Sequence, residues 1–208
     1  MLFARTFSEQ CLHCKSVGQN LQRGIVSPDD GRVSVGEEIY FDSASGVNLS
    51  IQKRRIGYVF QDYALFPQLT AEQNVAYGIK DNGVRSPSKL ERAKAMLILF
   101  KIEHIRQRYQ HNMSGGEQQR TALARALASD PAVVLLDEPL SAVDAETRSL
   151  LLDEVIMAQE RAGIPFIYVT HNTAEASRLG KQIVVLDQGI VRQAGAPSEI
   201  FDTSGNER

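Results

Sequence analysis

The sequence predicts an α/β fold: a mainly parallel sheet, a small antiparallel β ribbon and an inserted helical region. Short apolar runs (Ile56–Phe60, Ala132–Leu136, Phe166–Thr170 and Ile183–Asp187) alternate with stretches of helical period, which argues for strands covered by helices. Ala132–Pro139, AVVLLDEP, is apolar without alternation, as a parallel strand buried on both faces requires. Residues 28–41 alternate instead, with Val33 and Val35 and then Ile39–Phe41 after a turn at Pro28–Gly31, and so predict the ribbon.

The elements follow in order. Residues 1–24 carry no sustained period. Ile56–Gln61, IGYVFQ, is a short strand ending in a polar residue. In KLERAKAMLILF, Leu90, Ala93, Leu97 and Phe100 share one helical face. Residues 104–113 are polar and turn-like. A helix then spans Ser114–Ala128, where Ser114 and Glu117 fit a Ser-x-x-Glu capping box and Asp130-Pro131 is the stop. The next helix runs from about Asp144 to Ala162, with Leu151, Val155, Ala158 and Ala162 spaced along one face and Gly163 ending it. Phe166–His171 and Ile183–Asp187 are two further strands with a helical stretch between them, and Asp187-Gln188-Gly189 turns the last one into a hairpin.

Composition narrows the class. The chain has 208 residues, 43% hydrophobic and 23% charged, with 23 Lys plus Arg against 25 Asp plus Glu. A chain this long buries about 70% of its unfolded surface. The net charge of −2 gives no footprint for nucleic acid, and no nucleic-acid partner is expected. No run approaches the ~18 apolar residues of a membrane span, and MLFARTFSEQ lacks the apolar core of a signal peptide. A soluble intracellular protein is expected. Cys11 and Cys14 flank His13 in CLHC, but no second ligand pair follows at zinc spacing, so two incidental reduced thiols are the reading.

Three of the strands end in polar, reactive side chains: Gln61, then Asp137 with Glu138, then His171. In open α/β sheets ligands bind beyond the carboxyl ends of the strands, so these ends read as one site. An Asp after an apolar strand suits Mg²⁺, an adjacent Glu suits a base toward water, and a neutral His can contact phosphate. Phosphoryl transfer to water uses these parts together with a phosphate cradle.

SGGEQQR (Ser114–Arg120), VVLLDEP (Val133–Pro139), SAVD (Ser141–Asp144) and VTH (Val169–His171) together resemble the ATPase subunit of ABC transporters. VFQDYALFPQLTAEQNVAYG (Val59–Gly78) is similar to that family's glutamine-loop region, and motif order and spacing agree over residues 24–200. The resemblance implies a P-loop NTPase-like ABC ATPase fold, with residues 62–113 as its helical subdomain and residues 1–23 atypical, so that 1–208 is one N-terminally incomplete domain. It implies ATP and Mg²⁺ as cofactors. Asp137 would hold Mg²⁺ through water, Glu138 would polarise the attacking water, and His171 would contact the γ-phosphate. Gln61 would couple Mg²⁺ and that water to the membrane partner. Ser114, Gly115 and Gly116, with Glu117 in the same turn, would cap ATP held by the opposite subunit, because a helix N-terminus offers free N–H groups and the positive dipole end. Asp144 belongs to a loop that crosses to that subunit. The implied partners are a second ATPase subunit, an integral membrane permease and, indirectly, a solute-binding protein, with the chain peripheral on the cytoplasmic face of the membrane.

One family element is missing. No G-x-x-x-x-G-K-[ST] stretch occurs. Lys15-Ser16 precede Gly24 at the family's interval for the P-loop lysine, yet Glu9, Leu12 and Cys14 stand where that loop has glycines, which a phosphate nest needs. Either residues 1–23 come from a truncated or frame-shifted start, or the chain is a degenerate subunit that is inactive alone and lends only its signature motif to a partner. Phe41–Thr70 looks most like importers of molybdate and related oxyanions such as sulfate, although polyamine and sugar importers share VFQ-YALFP-LT. A soluble ABC-type ATPase of translation or DNA repair is the rival class, disfavoured by length and acidic charge. Lys53-Arg54-Arg55 reads as a solvated charge run, and Arg120 and Arg125 need no role beyond solvation and ion pairing.

Overall fold

The structure is a computed structural model, and it describes residues 2–4, 28–79, 89–141 and 143–201. The segment with Glu9, Cys11, Leu12, His13, Cys14, Lys15, Ser16 and Gly24 lies outside the described residues. The strands are β1 (Leu2–Ala4), β2 (Arg32–Val35), β3 (Glu38–Asp42), β4 (Val47–Asn48), β5 (Ile56–Val59), β6 (Val133–Asp137), β7 (Phe166–Val169), β8 (Ile183–Asp187) and β9 (Ile190–Gly195). The helices are α1 (Ala71–Tyr77), α2 (Lys89–Leu99), α3 (Gly115–Ala128), α4 (Ala145–Ala162), α5 (Thr173–Leu179) and α6 (Pro197–Phe201). The class is the α/β one expected. The chain divides into two compact units, Met1–Ile56 with Pro165–Arg208, and Gly57–Ile164.

In the first unit the predicted ribbon is present as β2-β3-β4. Val33 stands opposite Phe41, and the register shifts just after Val33. Val33, Tyr40 and Phe41 are buried, with Val35, Leu49 and Ile56 packed against them. Arg54 departs from the expected solvated run. It is only 5% exposed. Its guanidinium donates to Leu49 O at 2.8 Å and Asn48 Oδ1 at 3.1 Å and lies 5.9 Å from the Tyr40 ring centre. The ribbon needs a donor for the carbonyls at its frayed end, and an arginine stem can reach them while covering apolar surface. Lys53 and Arg55 are exposed as expected.

The same unit orders its other strands β7-β1-β8-β9. β1 is antiparallel to both β7 and β8, so those two run parallel to each other. β8 and β9 form the predicted hairpin, with Gln188 and Gly189 at φ 49° and 77° in its turn.

In the second unit β5 lies beside β6, and the helices pack around one another. Val133–Leu136 is buried at every position, as the unalternating run required. Thr70 and Gln73 close a reciprocal capping box on α1, and Ser114 and Glu117 close the predicted one on α3. Along α2, Ala93 and Leu97 are fully buried, and Phe100 follows them just past the helix end. Leu90 is the exception at 55% exposure, because it sits in the opening turn of α2, ahead of the buried Ala93–Leu97 stretch. Residues 104–113 are turn-like as expected, built on two short 3₁₀ turns, Glu103–Ile105 and Gln110–Asn112, anchored by buried Ile102, Ile105 and Met113. Asp144 caps α4 by accepting from Thr147 N at 2.9 Å, and Gly163 ends it at φ 64°. Among the described residues no helix is long and apolar enough to cross a membrane.

Gly57 in β5 faces α3 so closely that a Cβ there would meet Ala126 O at 2.8 Å and Pro131 Cγ at 3.3 Å. Overpacking of this kind costs about 1–3 kcal/mol. Gly57→Ala is therefore expected to lower the unfolding free energy by that amount, seen as a lower urea midpoint with an unchanged slope, whereas Gly115→Ala, where a Cβ meets nothing within 4 Å, is expected to shift it far less.

Candidate functional site

The ends of β5 and β6 are tied together by one side chain, that of Tyr58. Tyr58 Oη donates to Asp137 Oδ2 at 2.8 Å, fixing the half-buried carboxylate at the end of β6. Tyr58 packs edge-on against Phe60, ring centres 4.3 Å apart, and Gln61 follows, exposed. Glu138, next after Asp137, is half-buried and has φ 41°, a left-handed conformation that a non-glycine residue adopts only when its surroundings hold it there. Ser141 supplies that hold, donating to Glu138 O from its backbone N at 3.1 Å and its Oγ at 2.9 Å. The structure thus ties Tyr58 to Asp137, with Gln61 and Glu138 next along the chain from Phe60 and Asp137.

Among the described residues no cluster of three or more His, Cys, Asp or Glu forms a metal cage. The single oriented carboxylate of Asp137 is compatible with Mg²⁺, which is commonly held by one or two carboxylates together with waters and the substrate's phosphates.

At the start of α3, Ser114 N donates to Glu117 Oε2 at 2.7 Å and Glu117 N donates back to Ser114 Oγ at 3.3 Å. The other carboxylate oxygen of Glu117 faces His104 Nε2 at 3.5 Å and Arg108 Nη1 at 3.6 Å. Burial pushes the Glu117 carboxyl up, but the Ser114 bonds and the charges of Arg108 and His104 outweigh it and leave it below its ordinary value. Gly115 is exposed with open space at its missing Cβ, so the fold itself does not demand glycine there. Gly116 is buried against Arg120 and Leu151. Arg120 pairs with Glu154 at 3.2 Å, the ion-pairing role expected of it.

Arg125 corrects the expectation. It is half-buried and donates to the carbonyls of Ala64 at 2.7 Å and Tyr63 at 2.8 Å in the loop after Gln61. Asn74, fully buried, pins the rest of that loop: its Nδ2 donates to Phe66 O, Leu69 O and Thr70 O at 3.0–3.1 Å, and its Oδ1 accepts from Phe66 N at 2.8 Å. A buried Asn inside VFQDYALFPQLTAEQNVAYG was the one local hint of such a clamp.

Asp144 is exposed, and its carboxyl is held low by the Thr147 backbone and side-chain bonds. His171 belongs to the first unit, where it is exposed between β7 and α5. Its neighbours are fixed: Thr170 Oγ1 donates to Glu175 Oε2 at 2.8 Å, Tyr168 Oη reaches the same oxygen at 3.0 Å, and Asn172 caps α5 by accepting from Ala174 N and Glu175 N. Glu175 is buried, and its two hydroxyl partners lie 7 and 5 positions away in the sequence.

The sequence model described as ABC transporter matches residues 15–141, and so begins at Lys15. The chain belongs to the ABC transporter family. A molybdenum import ATP-binding protein, ModC, of Vibrio parahaemolyticus is 37% identical over 88% of this chain and 48% of its own length. A probable sulfate/thiosulfate import ATP-binding protein, CysA, of Chlorella vulgaris is 38% identical over 92% of this chain and 79% of its own. The chain therefore spans about half the length of the first of these relatives. Among solved structures, the ATP-binding cassette MJ0796, in a dimeric post-hydrolysis state bound to ADP and Pi, superposes with TM-score 0.67 at 28% identity, covering 86% of this chain and 78% of that one. The ABC family fold expected from the motifs is thereby shown.

The lowered Glu117 carboxyl gives the cap a defined pH response. A carboxyl whose folded pKa is depressed contributes stability above its unfolded value, here near the ordinary 4.5, and loses it as pH falls through the lowered folded value. The stability difference between the parent chain and Glu117→Gln is therefore expected to be constant near neutrality and to shrink once pH drops below about 4.5. Urea titrations of both proteins across pH 3–7 check it; a difference that grows in acid is the contrary result.

Proposed function

We propose that the chain is an ATP-binding subunit that couples ATP hydrolysis to solute import through a membrane permease, the solute being an oxyanion of the molybdate kind. The observation that carries the reading is the start of α3: a capped helix N-terminus whose Gly115 faces open space that its own fold does not use. Such a terminus attracts a phosphate by its N–H groups and dipole, and a glycine lets the anion approach the backbone. The names of the relatives, molybdenum and sulfate/thiosulfate import ATP-binding proteins, support the importer and the oxyanion class. They lend no support to a degenerate subunit.

In this reading Ser114, Gly115 and Gly116 cap the γ-phosphate of ATP held by a second subunit, and Glu117 holds the turn that presents them. Asp144, exposed at the head of α4, faces that subunit; the dimeric cassette MJ0796 supports such pairing. Mg²⁺ bound with the nucleotide neutralises charge on the phosphates, and Asp137 would hold it through water. Glu138 takes the proton of the attacking water at its carboxylate, aimed by the strained backbone that Ser141 holds. Gln61 orients that water and senses the permease, and the exposed imidazole of His171 contacts the γ-phosphate. The chain would then sit peripherally on the cytoplasmic face of the membrane, with a solute-binding protein acting indirectly through the permease.

Hydrolysis of Mg-ATP by the purified chain, alone and with a molybdate-type permease, tests the proposal. Glu138→Gln is expected to cut kcat by a factor on the order of 10²–10⁴ while ATP-dependent pairing of subunits persists in light scattering. Absence of both hydrolysis and ATP-dependent pairing in the parent chain overturns the reading. Import of sulfate in preference to molybdate by the reconstituted complex overturns only the choice of oxyanion.

A further inference from the structure

The loop that follows Gln61 contains two consecutive non-glycine residues in the left-handed region, Tyr63 at φ 61° and Ala64 at φ 42°. Neither is a residue that adopts this conformation by preference, so the loop is held from outside. The holder is Arg125 of α3. Its Nη2 and Nη1 donate separately to Tyr63 O and Ala64 O, at 2.8 and 2.7 Å. A planar fork with fixed donors can satisfy two neighbouring carbonyls at once, which an ammonium cannot do with the same geometry. The guanidinium carbon also lies 5.6 Å from the centre of the Phe66 ring, and that ring packs on Tyr77 with centres 4.4 Å apart. Tyr77 is 67% exposed. Gly78, next to it, approaches α3 so closely that a Cβ would lie 2.7 Å from Arg125 O. One residue of the signature helix thus touches the glutamine loop, the Phe66–Tyr77 face and the end of α1.

We propose that Arg125 is a positioning residue that makes Gln61's loop and the Phe66–Tyr77 face move with α3, so that a displacement at that face reaches Ser114–Gly116 through the guanidinium. The inference rests on the functional reading of Gln61 and Ser114–Gly116 given above, but its structural half is independent of nucleotide. Asn74 pins the loop from residue 66 onward through its own side chain, while Arg125 holds the carbonyls of residues 63 and 64. Burial lowers the Arg125 pKa from its ordinary value, the direction expected of a cation taken partly out of water, where its bonds to the two carbonyls gain strength.

The test compares the parent chain with Arg125→Met, which keeps an apolar stem and removes every donor, and Arg125→Lys, which keeps the charge but not the fork. Amide hydrogen exchange is read at Tyr63 and Phe66, whose N–H groups donate to Phe60 O and Asn74 Oδ1. Losing a charged hydrogen bond of this kind is expected to speed exchange at Tyr63 about tenfold or more in Arg125→Met. A smaller rise is expected in Arg125→Lys, and little change in α4. Where the parent hydrolyses ATP, kcat is expected to fall with KM for ATP nearly unchanged, because Gln61 is lost to the water and not to nucleotide binding. Unchanged exchange at residues 63–66 overturns the proposal. So does a rise spread evenly through α3 and α4, or a change in KM alone. If Arg125→Met does not fold, the Arg125→Lys pattern decides by the same criteria. A parent chain without hydrolysis refutes the proposed function, while the exchange pattern still decides whether Arg125 holds the loop.

Discussion

The carbonyl oxygens of Arg125 and Ala126 stand 2.7 and 2.8 Å from where Cβ atoms on Gly78 and Gly57 would be. No side chain fits at either position, so the backbone of β5 and the end of α1 can both lie directly on one turn of α3. That contact sets where β5 delivers Tyr58 and Gln61. The same turn carries the Arg125 fork, which sets the shape of the loop beyond Gln61. The N-terminus of α3 is roughly 16 Å away along a rigid helix. The loop after Gln61 and the Ser114–Glu117 turn are therefore referenced to a single element, and their separation is fixed by helix geometry.

Backbone strain in this chain separates into two kinds. Lys101, Asp130 and Gln188 have positive φ just past α2, just past α3 and in the β8–β9 turn, where a left-handed residue simply ends an element. Tyr63, Ala64 and Glu138 end nothing of that sort. They lie beside Gln61 and Asp137, and each is held by a polar clamp, Arg125 in one case and Ser141 in the other. Positions like these persist only because surrounding contacts over-determine them, and they gather where geometry matters more than stability. The strain therefore falls on Glu138 itself and on the two residues just past Gln61, next to positions that motif spacing singled out.

What could be read from the sequence was what local rules control. The Ser114–Glu117 box, the Asp144 cap, the Gly163 stop and the buried run of β6 are each decided within a few residues, and each is present. The polar ends of β5 and β6 were equally legible, because a charged or amide residue after an apolar strand needs no partner to be noticed. The clamps were not. Tyr58 and Asp137 are 79 positions apart, and Arg125 lies 61 and 62 positions from its two carbonyls. An arginine on a helix reads as solvated until the fold brings unpaired carbonyls to it. Arg54 failed for a related reason, since its partners include the backbone oxygen of Leu49, a group that every residue has and no pattern marks. Leu90 satisfied the helical period but sits in the opening turn of its helix, where periodicity alone says nothing about what covers it.

The start of α3 also answers an electrostatic objection. A carboxylate at position 117 stands in the first helical turn, where it competes with any incoming phosphate for the positive end of the dipole. Both of its oxygens are engaged, one by Ser114 N and the other by Arg108 and His104. Arg108 returns the charge that Glu117 removes, and the bond to Ser114 N takes up the N-cap amide, which precedes the first helical residue. What remains for an anion is the pair of amides at Gly115 and Gly116, with open space in front of the first. Glu117 therefore fixes the shape of the terminus without cancelling its charge, and the backbone at Gly115, not the acid, is the part of the turn that opens onto free space.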